Sequence, residues 1–247
     1  MPLTTPLPAE FARLIQQLLP EEAEALLGAL EGEASVSVRR NAAKCAALPS
    51  ELPLAGPVVW SHGLGYYLSR RPSFTADPLW HAGQYYVQEA SSMTLAAISP
   101  YLGEEPLVAL DLCAAPGGKS TLLLDLLPAG STLVSNEYVR SRAHILTENL
   151  QKWGSPYSIV TSTDAASLGR MRSSYDLILV DAPCSGEGMM RKDEEARRQW
   201  SPQLVSQCAA LQRSILEDIW PALAPGGLLV YSTCTLNGQE DEAQVAY

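Results

Sequence analysis

From about residue 107 onward, short and nearly unbroken apolar runs alternate with longer stretches in which apolar residues return every three or four positions. Residues 107–111, 132–135, 157–160, 176–180 and 227–231 read as strands. Residues 118–127, 140–153 and 203–219 read as helices, and Gly154 stops the second of them. Apolar strands separated by amphipathic helices predict a mostly parallel α/β sheet covered on both faces. The first third has another rhythm. Residues 11–30 carry helical periodicity broken at Pro20, and short β-type stretches follow at 35–38, 57–60 and 66–68, punctuated by Pro and Gly. Residues 88–98 read as a connecting helix ended by Pro100. The expected organisation is a small α+β domain over residues 1–87 and a larger α/β domain over 88–247.

Composition is compatible with two packed units: 47% of the 247 residues are hydrophobic and 18% are charged, far from disordered classes. The first six residues offer neither a cationic nor an apolar leader segment. No apolar run approaches the roughly 20 residues of a membrane span. Five cysteines stand at 45, 113, 184, 208 and 234, with no CxxC pair and only three histidines. That pattern argues against a zinc site or any other metal site, and against a disulfide framework. Free thiols in the cytoplasm are expected. The net charge of −10 is unusual for a nucleic-acid enzyme, so any binding surface has to be patterned locally. Arg39, Arg40 and Lys44, then Arg70 and Arg71, then Arg191, Lys192, Arg197 and Arg198 form such clusters.

Candidate chemistry gathers at the strand ends. Asp111 closes the first strand, Glu137 follows the second, Asp164 follows the third and Asp181 closes the fourth. Ligands of open α/β sheets bind beyond the carboxyl ends of the strands, where acids suit the hydroxyl and amino donors of a nucleoside. Glu137 lies 26 residues beyond Asp111, near the spacing of a ribose-binding acid. One such acid is ordinarily a helix N-cap, but four in register ask for more. The loop Cys113, Ala114, Ala115, Pro116, Gly117, Gly118, Lys119 opens a helix. It lacks the first glycine of a phosphate-binding P-loop and does not form the dinucleotide G-x-G-x-x-G pattern. What remains is a tight turn that brings backbone amides and a helix start close to a ligand.

Cys184 follows the fourth strand and Cys234 the fifth, each in a polar loop, so adjacent strands would bring both thiols to one rim. Most lone cysteines are inert buried hydrophobes, a reading that suits Cys45 and Cys208. For the other two, chemistry supplies a reason. C5 of cytosine is a poor nucleophile toward a methyl donor, and a thiolate added at C6 makes C5 enamine-like and reactive. A second group is useful when the C5 proton and the first thiolate leave. A carboxyl such as Asp181 could stabilise charge on the ring, and Arg191 or Lys192 could favour the thiolate. Spacing alone leaves Cys184 and Cys234 as comparable attackers.

The segments around Asp111 to Ser120, Asp181 to Gly188 and Tyr231 to Asn237 closely resemble motifs of the Nol/Nop/Sun family of RNA cytosine-C5 methyltransferases. Tyr85 to Met93 and Arg191 to Pro202 look like its bacterial ribosomal-RNA branch. The resemblance implies a Rossmann-like, S-adenosylmethionine-dependent methyltransferase preceded by a small α+β RNA-binding domain. It makes Cys234 the nucleophile and Cys184 the group assisting product release. It gives residues 113–119 to S-adenosylmethionine, Glu137 to its ribose and Asp164 to its adenine. Asp181 falls between cofactor and base, and Arg39 and Asn41 fall in the RNA-docking part. Family sheets carry two further strands after the fifth, so a chain stopping at Tyr247 is expected to expose a sheet edge, as a fragment or as part of a larger assembly.

Two other readings compete. A dehydrogenase would leave both rim thiols unexplained and lacks the dinucleotide fingerprint. A non-catalytic RNA- or ribosome-binding fragment would need neither thiol. Within the leading reading, ribosomal RNA is the expected substrate and transfer RNA the alternative.

Overall fold

The structure is a computed structural model that describes residues 4–247; residues 1–3, part of the stretch read for a leader, lie outside it. Helices α1 (Ala9–Leu18) and α2 (Ala23–Glu31) come first, separated as the proline at position 20 requires. Strands β1 (Val36–Arg40), β2 (Leu54–Pro57) and β3 (Gly65–Leu68), the short helix α3 (Pro78–His81) and strand β4 (Tyr85–Val87) follow. The α/β part then runs β5 (Val108–Asp111), α4 (Gly118–Leu126), β6 (Thr132–Asn136), α5 (Arg140–Trp153), β7 (Ser158–Thr161), α6 (Ala165–Gly169) and β8 (Tyr175–Asp181). Helices α7 (Glu194–Gln199) and α8 (Pro202–Ile219), strand β9 (Leu223–Ser232) and helix α9 (Glu242–Val245) complete it.

Two sheets result. The antiparallel one has the order β2-β3-β1-β4, and the other has the order β7-β6-β5-β8-β9. In the second sheet β5 pairs in parallel with β6 and β8, and β6 with β7. This is the mostly parallel sheet that the alternating pattern predicts, in the Rossmann-like arrangement that the family resemblance implies. Its core holds Ala109, Leu122, Leu123, Leu133, Leu177 and Leu179, all buried.

Three local differences from the sequence pattern have physical causes. Residues 88–98 do not form an α-helix; a run of tight 3-10 turns spans Ser91–Tyr101 instead. Thr94 and Ser99 donate their hydroxyls to carbonyls three residues back, competing with regular helical bonding. Residues 57–60 are only partly extended: β2 ends at Pro57, and Val59–Ser61 forms a turn closed by the Ser61 hydroxyl on the Val58 carbonyl. Helix α7 is too short for its period to stand out; Asp193 caps it through the amide of Glu195.

The chain forms two compact units that cut across its order. One contains the described residues up to Ala34 with 180–220 and 231–247; the other contains 35–179 and 221–230. Neither coincides with residues 1–87 or 88–247. In the first unit Phe11, Ile15, Leu30, Met190, Trp200 and Val205 form one apolar cluster, with the Phe11 and Trp200 rings edge-on at 5.6 Å. Strands β1–β7 lie whole in the second unit, whereas the last residues of β8 and β9, 180–181 and 231–232, belong to the first.

Leu122 has no exposed surface and sits at the centre of the parallel-sheet core. Leu122→Ala is expected to lower the unfolding free energy by about 2–5 kcal/mol, measured by denaturant titration.

Candidate active site

The loop after β5 is built against the neighbouring strand ends. The Leu112 amide donates to the Leu179 carbonyl at 2.9 Å and the Ala114 amide to the Asn136 carbonyl at 2.8 Å. Asp111, fully buried, accepts the Ser120 hydroxyl at 2.6 Å and so ties the strand end to the first turn of α4. Gly117 adopts φ +109° as the N-cap of α4, a region open to glycine, and no side chain caps the helix. The start of α4 therefore carries no side-chain cap. Glu137 is buried; its carboxylate accepts the Val139 amide at 2.9 Å and pairs with Arg142 at 3.4 Å. A carboxylate has about four lone-pair sites, so acceptor capacity remains for a hydroxyl pair. Asp164 is exposed and caps α6, accepting the Ser167 amide at 2.7 Å and its hydroxyl at 3.0 Å. The Ser167 amide holds the Asp164 carboxyl below the ordinary carboxylate range.

The two rim thiols belong to the other compact unit, and they meet. The Sγ atoms of Cys184 and Cys234 lie 3.3 Å apart, with Cys234 exposed and Cys184 half-buried. The hydrogen bond between the two thiols lowers the Cys184 pKa, outweighing the opposing effect of burial. Asp181 accepts the Ser232 hydroxyl at 2.7 Å. The loops carrying the thiols are pinned by the Gly188 amide on the Cys234 carbonyl at 2.6 Å. A Cβ at position 188 would fall 2.8 Å from that carbonyl oxygen, so only glycine permits the approach.

Beneath the thiols lie two fully buried carboxylates, Glu187 and Glu240. Glu187 accepts the Trp200 indole N–H at 2.9 Å, the Leu236 amide at 2.7 Å and Asn237 Nδ2 at 3.0 Å. Glu240 accepts the same Asn237 Nδ2 at 2.9 Å, the Ser185 amide at 2.9 Å and Gln212 Nε2 at 2.8 Å. Burial raises the Glu187 pKa, and these donors oppose the rise.

Residues 98–247 match the family described as 16S rRNA methyltransferase RsmB/F, and residues 7–90 match the N-terminal domain of 16S rRNA methyltransferase RsmF. The chain belongs to the 16S rRNA methyltransferase RsmB/F family. It is 39% identical, over 256 aligned positions, to ribosomal RNA small subunit methyltransferase F of Aeromonas hydrophila, covering 97% of this chain and 53% of that one. The chain spans about half the length of the curated relatives it matches. Among solved structures, a methyltransferase homolog protein from Pyrococcus horikoshii is 29% identical with a TM-score of 0.79, covering 96% of this chain and 76% of that one. NSun6 from Pyrococcus horikoshii, solved with SFG, shares the fold at 21% identity and a TM-score of 0.80, covering 99% and 87%.

Within this RsmB/F chain the RNA-docking candidates are placed differently from one another. Arg39 and Asn41 have no exposed surface. Asn41 Nδ2 donates to the carbonyls of Gly83 at 3.0 Å and Trp153 at 2.9 Å, and the Arg39 guanidinium is hydrogen-bonded inside the protein. A side chain with no accessible atoms offers RNA no donor, so these two residues support the sheet that carries them. Arg191 donates to the Glu33 carbonyl, whereas Lys192 is exposed. Arg197 is buried, bonded to the carbonyls of Met190, Thr5 and Leu30 and paired with Glu31 at 3.0 Å. Among the described residues no cluster of three or more His, Cys, Asp or Glu is placed to hold a metal, and no helix is long and apolar enough to cross a membrane.

Several site residues escaped the strand-end reading. Asn136, next to Glu137, donates to the carbonyls of Leu112 at 3.1 Å and Thr163 at 3.0 Å, joining three strand ends. Arg142 reaches both the Ala115 carbonyl, at 2.9 Å, and Glu137. Glu187 and Asn237 stand inside quoted motifs, but their buried state has no signature in the sequence.

Thiol chemistry gives a direct check. Burial first, then the charges of Glu240 and Cys184, push Cys208 up to about 11, whereas Cys184 lies below the ordinary cysteine value. Alkylation scales with thiolate fraction, so Cys184 labelling by iodoacetamide is expected to level off at a lower pH than Cys208 labelling, which should still climb through pH 10. Site-resolved mass spectrometry reads both curves; coincident profiles would contradict the assignment.

Proposed function

We propose that this chain carries the chemistry of an S-adenosylmethionine-dependent RNA (cytosine-C5) methyltransferase acting on ribosomal RNA in the cytoplasm. The observation that carries the reading is the pair of thiols 3.3 Å apart, one exposed and one half-buried, on loops pinned to each other. Membership of a 16S rRNA methyltransferase family supports the substrate class. The proposal gives RNA docking to residues 1–87, where Arg39 and Asn41 act from inside, with Arg191 and Lys192 as further candidates. It gives the reaction to residues 88–247.

The roles follow from exposure and chemistry. The Cys234 thiolate adds its electron pair to C6 of cytosine, and the C5–C6 π electrons move into the ring toward N3. Asp181, held by Ser232, serves the developing charge on the ring or the cofactor. S-adenosylmethionine supplies the methyl group. Cys113 to Lys119 would hold it with the uncapped amides of α4, Glu137 would bind the ribose hydroxyls, and Asp164 would have to share its carboxylate with α6 to reach the adenine. After methyl transfer a base removes the C5 proton, the C5–C6 double bond returns, and the C6–S bond breaks to expel the Cys234 thiolate. Cys184 stands beside that sulfur and assists its departure.

Cys184→Ala is expected to accumulate a covalent protein–RNA adduct stable to denaturing electrophoresis. Cys234→Ala should form none and lose methyl transfer; an adduct retained in the Cys234 variant would reverse the two roles. In calorimetry the protein should bind S-adenosylmethionine and give no heat with NAD. Tight NAD binding without S-adenosylmethionine binding would sink the proposal.

A further inference from the structure

Arg39 is the largest fully buried side chain among the described residues, and the reaction proposed above does not use it. It leaves β1 and enters the layer of α4 and α5. Nε donates to Gln88 Oε1 at 2.7 Å, and Nη1 pairs with Asp125 of α4. Nη2 donates to Thr121 Oγ1 at 2.5 Å and lies 3.4 Å from the Gly118 carbonyl. Thr121 Oγ1 in turn donates to the same Gly118 carbonyl at 3.0 Å. The flat face of the guanidinium lies 4.5 Å from the Trp153 ring centre, and the Trp153 indole donates to Asp125 at 3.3 Å. Burial draws the arginine down to about 10 and Asp125 up to about 6, each opposed by the partner's charge.

These contacts converge on the first turn of α4. Gly118 and Thr121 belong to the first turn of α4, which no side chain caps. The same loop is backed by β4: a Cβ on Gly118 would lie 3.4 Å from the Tyr86 ring and 3.6 Å from Gln88. Asn149 of α5 donates to the Pro116 carbonyl at 2.8 Å. The antiparallel sheet thus forms the rear support of the loop. A guanidinium, planar and with five donors in a fixed fork, can meet four acceptors at once, which a lysine ammonium cannot.

We propose that Arg39 is a positioning residue for the cofactor loop: through Thr121 and Gly118 it fixes the first turn of α4, so that a residue of the N-terminal sheet sets S-adenosylmethionine affinity without touching it. The proposal rests on the reading of residues 113–119 as the cofactor loop. Lys44 provides the comparison. Its ammonium donates to the carbonyls of Ala82 at 2.9 Å and Lys152 at 2.6 Å, joining the same layers without reaching the loop.

Arg39→Lys, Thr121→Val and Lys44→Ala separate positioning from general support. Arg39→Lys should weaken S-adenosylmethionine binding about tenfold or more in calorimetry, the scale of a lost charge-assisted hydrogen bond. Thr121→Val, which removes only the hydroxyl relay, should act in the same direction and keeps the test open if the arginine variant does not fold. Lys44→Ala should lower the melting temperature yet leave the dissociation constant within about twofold. Amide exchange measured without ligand adds a readout independent of binding: residues 117–121 should exchange faster in the first two variants and at the parental rate in Lys44→Ala. Unchanged loop exchange and affinity in Arg39→Lys, or equal losses in Lys44→Ala, would overturn the assignment. If the parent protein binds no S-adenosylmethionine while the selective exchange persists, the positioning role stands and the cofactor reading falls.

Discussion

A charge taken out of water has to be surrounded by partners, because an unpaired buried ion costs several kcal/mol. That requirement organises both compact units. In one, Arg39 recruits acceptors from β1's neighbours and from α4, and thereby joins the antiparallel sheet to the helix that follows the glycine-rich loop. In the other, Arg197 collects carbonyls from Thr5, Leu30 and Met190, binding α2 and the segment before α1 to the segment between the thiols. Apolar contacts fill the space between these elements, but they are tolerant of small shifts. The charged networks are not, since each donor direction must find its acceptor.

The thiol pair depends on the same constraint. Glu187 and Glu240 have no exposed surface and share one amide group of Asn237. Between them they accept from the main chain at Ser185, next to Cys184, and at Leu236, two residues beyond Cys234. The two loops are therefore held from below by carboxylates, while Gly188 permits their backbones to touch from the side. The outcome is one thiol open to solvent and a second at its shoulder, an asymmetry that suits an attacking sulfur and an assisting one.

Much of this was legible in the order of residues. The period of apolar positions predicts every strand of the parallel sheet to within a few residues, and helix α5 with the same limits as observed. Residues 113–119, Cys184 and Cys234 stand out because glycine, threonine and cysteine in loops after apolar strands serve no packing purpose. The supporting cast was not legible. Asn136, Arg142, Glu187, Asn237 and Glu240 are ordinary polar residues whose role depends on burial, and burial arises from contacts far apart in the chain. The tight turns of Ser91–Tyr101 were missed for a related reason: hydroxyls bonding back to the main chain change local geometry without changing the hydrophobic period.

By itself, then, the sequence determined the parallel α/β sheet, the glycine-rich turn after β5 and the presence of two cysteines at strand ends, all properties set by local period and residue type. Tertiary structure decided which polar groups face water. The family resemblance gives Arg39 and Asn41 to RNA docking; the fold encloses both and bonds them inside the protein. It also brought the sulfurs of Cys184 and Cys234, 50 positions apart, to 3.3 Å. Local patterns state a residue's chemistry; only the packing of distant segments fixes what that chemistry meets.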